Sequence, residues 1–262
     1  MCIPKVWFVW FVVNNLDRSA WNRFIKTREC FRDYVNKLSL SLPDLKKIQQ
    51  KFVNSRSDGK NSAYVIETPV VYNSALDDIT CASEIKLILV ADNPGRREQM
   101  AQNKRYLVGP SGKIANKFFT DNPSLGIDYS KNVIILNKTP IHSPRTIELK
   151  EFCRMDKSLL TAIEKSQKFM AQLLLDFHQA LCCSVWITGY SEMKKNGIFE
   201  VYTEELKTLY SNNREKYKNI FFYRHFSMNQ FTIDLKQQTL DKETTAKTLK
   251  RIGATYRERI LG

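Results

Sequence analysis

The chain is poor in glycine, with 9 among 262 residues, and has only 3 histidines. So little glycine leaves few backbone loops able to wrap a nucleoside phosphate. Gly109-Pro110-Ser111-Gly112-Lys113 resembles the end of such a loop, but Leu107 stands where glycine is required and Ile114 where Ser or Thr is required, which argues against nucleoside triphosphate hydrolysis. The cysteines (Cys2, Cys30, Cys81, Cys153, Cys182, Cys183) form no Cys-x-x-Cys unit, so no zinc or iron–sulfur site is expected, and a reduced cytoplasmic protein fits best. Long apolar runs are missing too. The longest, Val6 to Leu16, falls short of the roughly 18 residues that span a bilayer. Lys5 precedes it, but no small-residue cleavage site follows, so it reads as an N-terminal strand or an over-annotated start. Negative charge is also scarce: 27 acidic residues against 41 Lys and Arg leave a net charge of +14. Such a chain is drawn to polyanions and holds them by counterion release, although solvating lysines would give the same balance. What is present is ordinary for one large globular domain, or one with an extension: 43% apolar and 26% charged residues.

Apolar positions Trp21, Phe24, Ile25, Phe31, Tyr34, Val35 and Leu38 recur at helical spacing behind Asp17, a suitable cap. A shorter helix is expected after Pro43, then a polar connection from Asn54 to Ser62. Residues 1–80 therefore read as a helical lead-in packed on a main domain of residues 81–262. Ala63 to Glu67 and Val70 to Tyr72 are β-prone but split by Pro69, hence edge strands or extended chain. Four runs, Ile85 to Ala91, Val133 to Leu136, Val185 to Thr188 and Ile220 to Tyr223, read as strands buried on both faces. Helical patterns at Ser111 to Phe119, Ser158 to Leu181 and Glu192 to Tyr210 (interrupted near Gly197) separate them, and a basic helix from Asp241 to Ile260 closes the chain. The alternation predicts an α/β fold, a three-layer α/β/α arrangement around a central, mostly parallel four-stranded sheet.

Open parallel sheets bind ligands beyond the carboxyl ends of their strands. The four runs end in Ala91-Asp92-Asn93-Pro94-Gly95, Asn137-Lys138-Thr139-Pro140, Gly189-Tyr190-Ser191 and His225-Phe226-Ser227-Met228-Asn229. In this order they resemble the uracil-DNA glycosylase superfamily. Asn93-Pro94-Gly95 is similar to the Asn-Pro-Gly form of its first motif, and Tyr106 to Lys113 to the Pro-Phe-Val-Gly-x-(Ala/Ser)-Gly segment of the family 4 branch. Ile134-Ile135-Leu136-Asn137 resembles the strand ending in the base-reading asparagine, and His225-Phe226-Ser227 the His-Pro-Ser signature. The likeness covers roughly Ile85 to Ile233. It departs at Leu107, where the family has the aromatic ring that stacks on the flipped base, with neighbouring Tyr106 as a possible substitute, and at Phe226, where proline is usual. Gly95 replaces the tyrosine that excludes the thymine methyl in the strictest uracil-specific branch, so a pocket tolerating other deaminated bases is expected. The iron–sulfur cysteines of family 4 are not matched, and no cluster is expected.

The resemblance implies hydrolysis of the glycosidic bond of uracil in DNA, without metal or cofactor, as a step of base excision repair. Base release develops positive charge on the sugar and negative charge on the base, so it calls for a held water on one side and hydrogen-bond donors on the other. Asn93 would orient the water; its amide cannot take a full proton at neutral pH. Asp92 is a true base, ranked behind Asn93 because neighbours on extended chain face opposite ways. Asn137 offers the donor and acceptor that match the uracil edge. His225 would donate to a base carbonyl. Ser111, Lys113 and Ser227 are candidate phosphate contacts. Met228 and Phe231 are candidate wedges for the gap left by an extruded base. No lysine nucleophile aligns with a motif, so no strand-cutting lyase step is expected. The partner is DNA and not a membrane; the protein is read as a monomer, cytoplasmic and nucleoid-associated when bound. The rival reading is a non-catalytic nucleic-acid-binding protein on the same fold, and a distant third is an unrelated small-molecule α/β enzyme.

Overall fold

Every residue of the first sheet strand is buried, and the rest of the chain is arranged to achieve that. The computed structural model describes residues 16–55 and 64–262. β1 (Leu87–Ala91), β2 (Val133–Asn137), β3 (Ser184–Thr188) and β4 (Ile220–Tyr223) form one sheet in the order β2-β1-β3-β4, and all three pairings are parallel. The helices are α1 (Arg18–Ser41), α2 (Leu45–Ser55), α3 (Pro110–Asp121), α4 (Tyr129–Asn132), α5 (Thr146–Met155), α6 (Lys157–Leu181), α7 (Glu200–Ser211), α8 (Arg214–Tyr217), α9 (Gln230–Gln238) and α10 (Thr245–Leu261).

Strand side chains alternate between faces, so one apolar strand feeds two cores. Ile88 and Val90 of β1, with Ile134, Leu136, Val185 and Ile187, join the core built from α1, α2, α5, α6 and α7. Leu87, Leu89 and Ala91, with Trp186, Phe221 and Tyr223, join a second core under α3, α9 and α10. This is the three-layer α/β/α fold expected from the alternation. Each fully buried Leu, Ile or Phe in these cores is worth roughly 1.5–3 kcal/mol against exposure.

α1 begins where its cap predicts: the Asp17 carboxylate accepts from the Ala20 N–H at 2.7 Å. Its apolar stripe lies along α6, with Phe24 against Phe177 and the Tyr34 ring stacked 3.6 Å from Phe169. The lead-in thus shares the first core. The strand expected from the Val6–Leu16 run falls outside the described residues except for Leu16, and the polar connection lies largely outside them. Residues 64–68 form no regular element and the chain bends at Pro69; beyond them only an isolated bridge joins Val70 to Ile141. Pro69 is one reason, and side-chain amides acting as the pairing partner are another. The Ile66 N–H donates to Gln50 Oε1, and the Glu67 and Thr68 N–H groups donate to Gln99 Oε1. Helices α5 and α9 are also present, outside the helical stretches expected from the sequence. Among the described residues, no helix is long and apolar enough to cross a membrane.

Candidate functional site

The order of the sheet reverses between β1 and β3, the position where a parallel sheet opens a crevice at its carboxyl edge. Asp92 and Gly189 occupy that point. Gly189 has φ +77°, and a Cβ added there would lie 2.4 Å from Asp92 Oδ1, so glycine is what lets the carboxylate sit against this strand end. Asp92 Oδ1 is paired with Lys138 Nζ at 2.5 Å, and the lysine also donates to the Thr188 carbonyl at 2.6 Å. Lys138 is fully buried, with its ammonium 4.9 Å from the Phe199 ring centroid, and the Asp92 side chain is 15% exposed. Burial pushes the lysine below its ordinary pKa, and Asp92 acts against that push. The ends of β1, β2 and β3 are therefore joined by one buried ion pair.

Asn93 is half-buried. Its Nδ2 donates to Ser143 Oγ at 2.9 Å, with the Ser143 and Pro94 carbonyls each at 3.2 Å. The Ser143 hydroxyl donates to the Arg145 carbonyl at 2.9 Å, so towards Asn93 it can only accept, and this fixes which end of the amide is nitrogen. Oδ1 consequently faces Thr146 Oγ1, at 3.1 Å, and the same hydroxyl lies 3.1 Å from Asp92 Oδ2.

The turn that carries Asn93 is held from behind. His142 is fully buried, with Nδ1 2.8 Å from the Pro94 carbonyl and Nε2 3.0 Å from the Tyr64 hydroxyl. Because a carbonyl only accepts, Nδ1 carries the proton and Tyr64 donates to Nε2. Burial drives this histidine's pKa down to about 4, so it is a neutral strut. Glu98, also buried, accepts from the Gly95 N–H at 3.1 Å; burial lifts its carboxyl to about 7 against hydrogen bonds from the Gly95 and Leu107 N–H groups that lower it.

Asn137 ends β2 opposite Ala91 and is 1% exposed, with neither its Oδ1 nor its Nδ2 hydrogen-bonded. Orphaning both ends of a buried amide costs several kcal/mol by the usual ~1–3 kcal/mol per group. Such groups call for an explanation in a ligand or a water.

His225 is half-buried, and its Nδ1 accepts from the Ser227 N–H at 3.0 Å and lies 2.8 Å from Ser227 Oγ. With Nδ1 accepting, the proton of the neutral ring sits on Nε2. Burial lowers its pKa, Asp92 raises it and Lys138 lowers it, so the ring is within electrostatic reach of the buried pair.

Other candidates from the sequence are placed differently. Tyr106 is 2% exposed and donates its hydroxyl to the Val71 carbonyl at 2.6 Å, which holds its ring in the first core and leaves no free stacking face. Leu107, at φ +52°, turns into the second core instead. The chain therefore splits these two neighbours between opposite layers. Ser111 is half-buried and Lys113 exposed on the first turn of α3. The Ser227 hydroxyl is occupied with His225. Met228 is 76% exposed, and both it and Asn229 are left-handed, at φ +52° and +56°. Phe231 is a core residue, stacked on Phe226.

Sequence reasoning missed Lys138, Ser143, Thr146 and Glu98. Lys138 directly follows Asn137, the polar end of β2, and its own pairing has no local sequence signal. Comparison of the chain with protein-family models, with curated proteins and with solved structures gives no match.

Proposed function

We propose that this protein hydrolyses the N-glycosidic bond of uracil, and of related deaminated bases, in DNA. The observation that carries the reading is Asn137: a buried carboxamide with an unpaired donor and an unpaired acceptor, at the edge where Asn93 and His225 are also held. A pyrimidine edge with an adjacent carbonyl and N–H would satisfy both groups. His225, neutral with its proton on Nε2, is suited to donate to a base oxygen as negative charge builds there. Asn93, its amide direction set by Ser143, offers Oδ1 to a water. The net charge of +14 supplies the sequence-independent attraction to the phosphate backbone.

The test is release of free base from oligonucleotides carrying a single uracil, hypoxanthine or xanthine, single-stranded and in duplex. Uracil release is expected, with Asn93→Ala slowing it by about 100-fold or more while leaving DNA affinity within about threefold. Absence of any released base, where a control glycosylase works, would refute the reading. The second reading, a non-catalytic nucleic-acid-binding protein, is favoured by the burial of Tyr106 and Leu107, which leaves no aromatic platform at that position. It predicts salt-dependent binding, no product, and no effect of Asn93→Ala.

A further inference from the structure

A hydroxyl has one proton, and Thr146 Oγ1 stands 3.1 Å from each of two acceptors, Asp92 Oδ2 and Asn93 Oδ1. The contest is decided by charge. Asp92 is the carboxylate of an ion pair, with Lys138 Nζ 2.5 Å from its Oδ1, and a hydrogen bond to a carboxylate is stronger than one to a neutral amide. The Thr146 proton therefore points at Asp92. Asn93 cannot answer by turning its NH2 group round, because Nδ2 is held among the Ser143 and Pro94 oxygens. Two acceptors, Asn93 Oδ1 and a Thr146 lone pair, are left side by side with no proton between them. A water that donates one O–H to each would satisfy both and present its own lone pair outward.

We infer that Asp92, reached through Thr146, is the proton acceptor for the attacking water in the hydrolysis proposed above, on which this inference rests. The water oxygen bonds to C1′ of the deoxyribose as the C1′–N1 bond breaks, its electron pair leaving with the base. One water proton passes to Thr146 Oγ1 while the Thr146 proton passes to Asp92 Oδ2. Asp92 then returns that proton to the departed base anion, regenerating the starting state. Asn93 aims the water, which an amide can do, and a carboxylate takes the proton, which an amide cannot. Lys138 holds Asp92 Oδ1 and leaves Oδ2 to Thr146. Thr146 is on this account a catalytic residue.

The experiment is single-turnover uracil release from a single-stranded oligonucleotide by the full chain and its variants. Affinity is read separately with an oligonucleotide carrying a tetrahydrofuran abasic analogue. Thr146→Val, which removes the hydroxyl and no charge, is the deciding variant. It is expected to slow release by about 100-fold, in the range of general-base contributions, with affinity changed less than about threefold. Thr146→Ser restores most of the rate. Asp92→Asn causes a comparable loss, and the double variant Thr146→Val/Asp92→Asn is no slower than the slower single, because the two groups act in one relay. A Thr146→Val rate within threefold of wild type, or single losses that multiply in the double, overturns the relay while leaving the glycosylase reading intact. A wild-type protein that releases no base overturns both.

Discussion

Glu98 links the turn carrying Asn93 to the pH of the solution. Its carboxyl is buried, and its pKa is lifted from 4.5 to about 7. The folded protein therefore retains a proton that the unfolded chain has already released. Between pH 4.5 and about 7 the folded state binds more protons, so stability falls as pH rises through that window and is fully present only below it. At ~1.4 kcal/mol per pH unit, the interval is worth ~3 kcal/mol. Glu98→Gln cannot ionise. Urea unfolding of wild type and variant at half-unit steps from pH 4 to 8 should show their stability difference moving by ~3 kcal/mol in the variant's favour across the window. His142 and His178, with pKa values lowered by burial to about 4 and about 3, make the folded state gain stability as pH rises towards 6.5, the opposite direction. Both are present in both proteins and cancel in the difference. A difference that stays flat from pH 4.5 to 8 would refute the argument.

Three more outcomes follow from the geometry. An added Cβ at Gly112 would lie 1.4 Å from the Leu107 carbonyl oxygen, a backbone atom, so Gly112→Ala should cost at least ~2 kcal/mol and lower the melting temperature by ~5 °C or more, read by calorimetry. Lys138→Met leaves Asp92 beside an apolar side chain with no cation, and denaturant unfolding should show a loss of about 3–5 kcal/mol, partly recovered in Lys138→Met/Asp92→Asn. Met228 is solvent-exposed, so Met228→Ala should leave stability within ~0.5 kcal/mol. If Met228 fills the gap behind an extruded base, the same variant slows uracil release from duplex by on the order of tenfold and from single strands hardly at all.

The sheet was legible because strands buried on both faces must be apolar throughout, and Ile88 to Ala91 or Ile220 to Tyr223 can be read as little else. α5 and α9 were harder. Each presents few buried positions, Leu149 with Phe152 and Phe231 with Leu235, and α9 starts from left-handed Asn229 without a side-chain cap. Asn137 stood out as a polar end to an apolar strand. Lys138 did not, since its partner Asp92 is 46 residues away and only pairing of β1 with β2 brings them together. Ser143, in the loop before α5, and Thr146, at its first position, carry no sequence signal of the contacts they make with Asn93. The relative depth of Tyr106 and Leu107 depended on a positive φ at Leu107, which a leucine does not announce.

The lashing of the Asn93 turn also bears on how far the molecule can be shortened. Tyr64 holds His142, Gln99 joins the turn to residues 65–68, and Gln49 reaches over to the His142 and Pro69 carbonyls. Helix α2 and residues 64–69 thus form the outer wall of the strand-end edge that carries Asn93. A fragment beginning at residue 81 would keep every strand and every motif residue, yet lose the buttress that sets the direction of the Asn93 turn.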